Sequence, residues 1–367
     1  MKKLMLMVGL IVAAGIPLMA ADVTTSGQLD LNYVMDSPKD DNDDESSESY
    51  FTTIWTKLKV NADFGKDMNG LIMFNFLEDP LASGHSTGTP TFGLVEVEEL
   101  WLSKANAFDQ KGLGFKFGKM EVPGNLDVDN GITHALSNRF EIDRTWGLNI
   151  NYMAEGIGTF NLTTIEFMGG TDSTTGPPAD DEDTGLFNSM VIQWDTGADA
   201  FEVAGLRLVV AIGMLASDED QDDGQVISIG GTYSLASMDV PLTLGLEIDM
   251  VSNVDVDDMG ISDQPALDLG SGMLMALNAD YEINEQFCVG LSYETFSVDE
   301  DDADPPSIPA ALAKQTITRM ALRGSYAVME DVKLRLEYAD ISNDESDSGA
   351  DKEVGGNTIA IGVLAKF

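Results

Sequence analysis

Cysteine and histidine are almost absent from this chain of 367 residues, which contains one cysteine and two histidines. The lone Cys288 excludes an intrachain disulfide and a zinc site built from cysteines. His85 and His134 lie in no pattern typical of a catalytic triad or of a zinc-binding helix. Phosphate-binding and dinucleotide-binding glycine motifs are also missing. We therefore expect no enzyme activity and no tightly bound cofactor.

Basic residues are scarce as well, since 20 Lys and Arg stand against 63 Asp and Glu and give a formal net charge of −43. Proteins that bind nucleic acid need a basic surface to neutralise phosphates, so nucleic acid is excluded as a partner. Cations are the mobile partners that such a chain attracts. The hydrophobic fraction of 43% is too high for an acidic disordered chain, which indicates that the protein folds.

Long hydrophobic runs are limited to one segment, residues 4–19, which follows Lys2 and Lys3 and precedes small residues. A short basic head, an apolar stretch and a small-residue site are typical of a secretory signal peptide. We expect residues 1–20 to be this signal and residues 21–367 to be the exported protein. No later run approaches the ~20 apolar residues that a transmembrane helix requires.

What the rest of the chain does contain is a repeated alternation of apolar and polar residues. In one of the clearest segments, Leu334, Leu336 and Tyr338 alternate with Arg335 and Glu337. A period of two residues predicts strands with one apolar and one polar face. About sixteen such strands, each of roughly ten residues, are predicted near 25–35, 51–64, 70–78, 94–103, 112–119, 146–155, 158–168, 185–195, 204–215, 225–235, 241–251, 272–282, 286–297, 315–327, 331–341 and 355–367.

Two features favour a closed antiparallel transmembrane β-barrel over a soluble sandwich. Short and long connections alternate along the chain, and the long ones hold most of the acidic residues, as in residues 40–48 and 299–304. Aromatic residues also gather near the predicted strand ends, where membrane barrels carry interfacial girdles. These aromatic residues are Trp55, Trp101, Trp146, Trp194, Tyr233, Tyr281, Tyr293 and Tyr338.

The strand count, the alternating loops, a last strand that ends on Phe367 and the segment Gly118-Lys119-Met120-Glu121-Val122-Pro123-Gly124 together resemble the general porins of bacterial outer membranes. The resemblance covers the whole chain after the signal. It implies passive diffusion of small hydrophilic solutes and ions across the outer membrane. It also implies a homotrimer embedded in outer-membrane lipid.

In porins the loop after the fifth strand folds into the lumen and narrows it, so the resemblance implies the same role for residues 120–145. A solvated outer loop is the alternative interpretation. The charged residues that this candidate constriction loop would bring into the pore are Glu121, Asp127, Asp129, Arg139, Glu141, Asp143 and Arg144.

Seven inward bases are predicted to meet on one side of the pore once the last strand closes against the first, and we call this set the basic wall. An acidic loop opposite such a wall would create a transverse field across a narrow pore. Alternatively, these bases pair with inward Glu337, Glu294, Asp30 and Asp63 and only seal the lumen. The set comprises Lys57, Lys59, Arg319, Arg323, Lys333, Arg335 and Lys366.

The acidic outer loops predict a preference for cations over anions. They also have the ligand type that Ca²⁺ prefers, although no cluster has the spacing of an EF-hand, so only loose Ca²⁺ binding is expected. An alternative function is therefore a structural or binding barrel whose acidic loops hold cations or a surface partner. The candidate metal ligands are Asp218, Asp220, Asp222, Asp255, Asp257 and Asp258.

Overall fold

The structure is a computed structural model, and it describes residues 22–39, 48–52, 56–78, 92–124, 145–165, 189–215, 224–255, 268–299, 314–345 and 352–367. These residues form seventeen strands in one sheet. The strands are β1 (Asp22–Lys39), β2 (Glu48–Thr52), β3 (Lys57–Gly65), β4 (Met68–Glu78), β5 (Phe92–Lys104), β6 (Leu113–Met120), β7 (Thr145–Ala154), β8 (Gly158–Ile165), β9 (Ser189–Asp195), β10 (Leu206–Leu215), β11 (Gly224–Ser234), β12 (Leu242–Asp255), β13 (Asp268–Glu282), β14 (Phe287–Asp299), β15 (Lys314–Met329), β16 (Val332–Glu345) and β17 (Lys352–Lys366).

The sheet closes on itself because β1 pairs antiparallel with β17 on one side and with β2 and β3 on the other. β2 and β3 pair with successive parts of β1, so together they occupy one strand position. The predicted strand 51–64 is observed in two parts, β2 up to Thr52 and β3 from Lys57, and residues 53–55 between them lie outside the described residues. With this position counted once, the fold is a closed antiparallel barrel of sixteen strands, which confirms the predicted fold class.

Side-chain alternation in the strands separates the two faces of the barrel wall. On β16, Leu336 is 54% exposed and points outward, while the next residue, Glu337, is 0% exposed and points inward. Leu322, the neighbour of Tyr338 on β15, is 58% exposed on the same outer face. A continuous apolar belt of this kind is unfavourable in water and is matched by the hydrocarbon of a bilayer.

A bulge in β5 reverses this alternation and overturns one aromatic prediction. Met73 pairs with Glu99 and Phe74 pairs with Val97, so Glu98 is the extra residue. Beyond the bulge, Trp101 lies on the inward face with Glu99, to which its Nε1 donates a hydrogen bond of 2.7 Å. Trp101 is therefore not part of an outer girdle.

Most of the other predicted girdle residues do lie on the outer face. Trp194 stacks on Phe160 of the neighbouring strand, with ring centroids 6.3 Å apart. Partly exposed outward aromatic rings at strand ends fit the interfacial region of a bilayer. The others on this face are Trp146, Tyr233, Tyr281, Tyr293 and Tyr338, and Trp55 lies outside the described residues.

Short connections join the strands at one end of the barrel. Two of them, between β5 and β6 and between β9 and β10, have the same construction, in which Asn106 and Asp199 accept hydrogen bonds from the backbone N–H groups of Gly112 and Gly205. The long connections at the opposite end, such as 300–313, lie outside the described residues. No helix within the described ranges is long and apolar enough to cross a membrane.

Candidate pore lining

The residues of the basic wall lie on the inward face of four strands, β15, β16, β17 and β3, and β1 lies between β17 and β3. Cross-strand register brings them together, because Lys366 pairs with Gln28 and Gln28 pairs with Lys57. Lys59, Lys333 and Lys366 are exposed. The remaining four members each form an ion pair with an inward carboxylate, as described next.

Arg319 of β15 forms the most deeply buried of these contacts. Its Nη1 donates to Glu294 Oε1 on β14 and its Nη2 donates to Glu337 Oε1 on β16, both at 2.8 Å. All three side chains are 0% exposed. Buried charges are stable only when they are paired and hydrogen-bonded, and here one guanidinium connects the carboxylates of both flanking strands.

Two further arginines repeat this arrangement nearer the end with short connections. Arg335 of β16 donates to Asp30 and, at 3.1 Å, to Asn32 of β1. This contact joins β16 to β1 across the intervening β17 and so spans the closure of the barrel. Arg323 donates to Asn278 and, at 3.4 Å, to Asp280, both on β13.

Lys57 of β3 pairs with Glu98, the bulge residue of β5, at 2.6 Å. Both side chains are buried, so the bulge has a clear structural role in placing a carboxylate against an inward lysine. Asp63, which was considered as another partner for the basic wall, instead accepts a hydrogen bond of 2.7 Å from the backbone N–H of Gly65.

The other side of the lumen, on β7 to β9, carries uncharged polar side chains that we call the amide ladder. Asn151 donates to Asn149, and Asn149 donates to Thr163 at 2.8 Å. Asn161 donates to Gln193 at 2.8 Å. These side chains are uncharged and bond to one another, so the surface is polar and carries no net charge. None of these residues is among the predicted site residues, although asparagines at alternate positions of β7 are a signal for an inward polar face.

The amide ladder ends on the segment that follows β6. Gln193 Nε2 on β9 donates a hydrogen bond of 2.8 Å to the carbonyl oxygen of Gly124. Val122, two residues earlier, is buried, whereas Glu121 is exposed. β6 and β9 are three strand positions apart, roughly 14 Å at ~4.8 Å per position, so residues 121–124 turn toward the inward face.

The remaining predicted site residues are outside what the structure describes. Within the candidate constriction loop, these are Asp127, Asp129, Arg139, Glu141, Asp143 and Arg144. Among the candidate metal ligands, they are Asp218, Asp220, Asp222, Asp257 and Asp258. Asp255 is the last residue of β12, where its backbone pairs with Asp268.

Two buried carboxylates on β12 also line the barrel interior. Glu247 and Asp249 are both fully buried and lie on the inward face. The sequence places them on the polar face of an alternating strand, but nothing local marks them as different from other inward acids.

Solved structures support the fold. The outer membrane channel DcaP of Acinetobacter baumannii is 14% identical, with a TM-score of 0.66 over 95% of this chain and 97% of that chain. An anion-selective porin from Comamonas acidovorans is 12% identical, with a TM-score of 0.64 over 95% of this chain and 100% of that one. In vitro folded OmpT of Vibrio cholerae, in its trimer form, is 13% identical, with a TM-score of 0.56 over 95% and 100%. At these identities the similarity shows a shared fold.

Sequence comparison identifies the family. Among curated proteins, no sequence matches the chain significantly. The family model for Gram-negative porins, however, matches residues 7–359. This match covers nearly the whole chain and agrees with the closed barrel, the apolar outer belt and the polar lumen. The chain therefore belongs to the Gram-negative porin family of outer-membrane channel proteins.

Proposed function

We propose that this porin lets small hydrophilic solutes and ions diffuse passively through its lumen, with a preference for cations. The observation that carries the preference is the pairing of the inward bases with carboxylates, as in Arg319 with Glu294 and Glu337. A paired arginine contributes little net positive potential to the pore. The fold alone does not decide the sign, because the similar barrel of Comamonas acidovorans is described as anion-selective.

Charge elsewhere in the protein favours cations further. The long connections are rich in Asp and Glu, and the whole chain has a formal net charge of −43. A mouth and lumen with excess negative charge concentrate cations and repel anions, and this effect weakens as salt screens the charges.

Residues 120–145 form the pore-constricting loop in this proposal. The hydrogen bond from Gln193 to the carbonyl of Gly124 supports it, because that bond holds the start of the segment against the inward face of β9. The amide ladder would then act as the attachment surface of the loop. Glu121 and the loop residues after it would face the basic wall across the pore.

The transverse field of this arrangement is expected to be weaker than seven free bases would produce. Arg319, Arg323 and Arg335 share their donors with carboxylates or amides. The exposed Lys59, Lys333 and Lys366 are the wall members that remain to orient dipolar solutes.

We further propose that the protein is a homotrimer, exported through a signal peptide at residues 1–20 and embedded in outer-membrane lipid. The apolar belt on the outer face supports contact with lipid, since it leaves large side chains such as Leu322 and Leu336 exposed. The related fold of OmpT from Vibrio cholerae is described in a trimer form, which supports the assembly. Loose Ca²⁺ binding by the outer loops remains a prediction.

The test is conductance of the purified chain in planar lipid bilayers. A porin is expected to give stepwise openings whose conductance rises with the salt concentration. A barrel that serves only as a binding platform gives no such openings. Under a KCl gradient, the reversal potential is expected to have the sign of K⁺ permeation and to shrink as the ionic strength rises. A reversal potential of the opposite sign would overturn the cation preference while leaving the channel function intact.

A further inference from the structure

Asp249 of β12 is a carboxylate that is fully buried in the barrel wall. Its side chain is 0% exposed. Within the described part of the chain, both of its carboxylate oxygens lack a hydrogen-bond partner. An ionised carboxylate removed from water without a partner is strongly disfavoured, so its charge is neutralised either by a proton or by a bound cation.

Two further oxygen-bearing side chains lie beside Asp249. Ser228 on β11 is its direct cross-strand neighbour, is buried, and has a hydroxyl that is also without a partner among the described residues. Glu247 lies two residues earlier on β12 and is fully buried on the same inward face. Directly paired residues have Cβ atoms about 5 Å apart, and alternate residues of one strand lie about 7 Å apart, so all three side chains reach one point.

The surroundings of this group are apolar on the other flank. Leu274 of β13 pairs directly with Asp249, and Ala276 pairs with Glu247, and both are buried. Val251 continues the inward face of β12 and is buried as well. These apolar neighbours do not offer hydrogen bonds to Asp249, and they lower the local dielectric constant, which strengthens the attraction to a cation.

We infer that Asp249, Glu247 and Ser228 form a site in the barrel wall for a divalent cation of the Ca²⁺ type. Carboxylate and hydroxyl oxygens are the hard ligands that such an ion prefers. Waters would complete the coordination, as is usual for these ions. The site is distinct from the acidic outer loops. It does not depend on the proposed conduction, because a cation held in the wall stabilises the fold whether or not ions pass through the lumen.

The test is direct Ca²⁺ binding by the full folded chain in detergent, after removal of metal with a chelator. Equilibrium dialysis with radioactive Ca²⁺ is performed at physiological ionic strength, where the screening length of about 8 Å suppresses diffuse binding to exposed acids. Wild type, Asp249→Asn and Glu247→Gln are compared with Asp239→Asn, which makes the same chemical change in an exposed turn. The wild type and the Asp239→Asn control are expected to bind about one more tightly held Ca²⁺ per chain than the two site variants.

Equal Ca²⁺ binding by wild type and Asp249→Asn would overturn the proposal. Infrared spectroscopy supplies the second readout, because a protonated carboxyl group absorbs apart from a carboxylate. The proposal is wrong if wild type shows this band, if Asp249→Asn removes it, and if added Ca²⁺ leaves it unchanged. In that case a proton occupies the site.

If Asp249→Asn does not fold, a variant that keeps both carboxylates still tests the site. Ser228→Ala removes only the hydroxyl ligand and is expected to weaken Ca²⁺ binding while the barrel still forms. Ca²⁺ is also expected to raise the urea midpoint of wild type more than that of Ser228→Ala, because a ligand that binds the folded state stabilises it. Identical affinities and midpoints for these two proteins would contradict the site. None of these measurements uses ion conduction, so they fail or succeed independently of the proposed channel function.

Discussion

Gln193 of β9 donates a hydrogen bond of 2.8 Å to the backbone carbonyl of Gly124, which lies 69 residues earlier in the chain. The donor belongs to the rigid barrel wall and the acceptor to the segment that leaves β6. This contact joins the amide ladder to the candidate constriction loop. If residues 120–145 form the proposed constriction loop, we expect this contact to hold the start of the loop against the wall.

Replacing Gln193 with Ala is expected to release this attachment. One hydrogen bond contributes about 1 kcal/mol, so the barrel should still fold while the segment after β6 samples more positions. Single-channel recordings should show a larger mean conductance and more current noise in the open state. Gln286→Ala, which truncates an exposed glutamine in the turn between β13 and β14, is the matched control and should behave as wild type. Unchanged conductance in Gln193→Ala would show that the contact does not position the loop.

Replacing Arg319 with Met is expected to destabilise the barrel strongly. The variant leaves Glu294 and Glu337 buried without the guanidinium that bonds to both, and breaking a buried pair in this way costs about 3–5 kcal/mol. Arg207→Met is the control, since Arg207 pairs with Asp195 at the partly exposed end of β10 and should cost about 1 kcal/mol or less. Urea unfolding monitored by tryptophan fluorescence measures both. Similar losses in the two variants would mean that the Arg319 contacts do not stabilise the interior.

The pair between Lys57 and Glu98 provides a test of how wall charges affect ion preference. Lys57→Met removes a positive charge from the lumen and keeps the carboxylate of Glu98, so the reversal potential is expected to move toward greater cation preference. Glu98→Gln removes a negative charge and keeps Lys57, so the reversal potential is expected to move the opposite way. Lys66→Met changes an exposed turn lysine and should alter the potential less than either. Shifts of the same sign in Lys57→Met and Glu98→Gln would contradict an electrostatic role for the pair.

Strand positions are predictable from this sequence because alternation is a local signal. The predicted strand 204–215, for example, is observed as Leu206–Leu215. The bulge at Glu98 is not predictable in the same way, because one extra residue reverses the faces without any change in composition. As a result, Trp101 lies on the inward face and not in the predicted outer girdle.

Contacts within the lumen depend on the register between strands, which alternation does not specify. The inward direction of Arg319 follows from the pattern of β15, but its bonds to Glu294 and Glu337 require the alignment of three strands. The contact between Gln193 and Gly124 is even harder to predict from the sequence, since it joins a strand to a segment that has no periodicity. The family resemblance predicts the loop, but it does not indicate that Gln193 contacts the start of it.

Gly118 lies in β6 at a close contact with β5. Gly118 of β6 has a φ of +135°, a conformation that side chains with a Cβ rarely adopt. A Cβ at this position would also meet the carbonyl oxygen of Leu100 and lie 2.8 Å from the Cα of Trp101 on the adjacent β5. The close approach of β5 and β6 at this point therefore requires glycine.

Gly118→Ala is expected to destabilise the pairing of β5 with β6 by about 1–3 kcal/mol, the usual cost of a strained backbone position. Gly324→Ala makes the same substitution within β15, where an added Cβ has no atom within 4 Å, and should fold as wild type does. The two variants are compared by their refolding yield in detergent. The yield is measured as the fraction of protein that SDS does not unfold without heating. Equal yields would show that the strand pair adjusts to a side chain at Gly118. A lower yield for Gly118→Ala alone would show that the close contact between β5 and β6 requires glycine at this position.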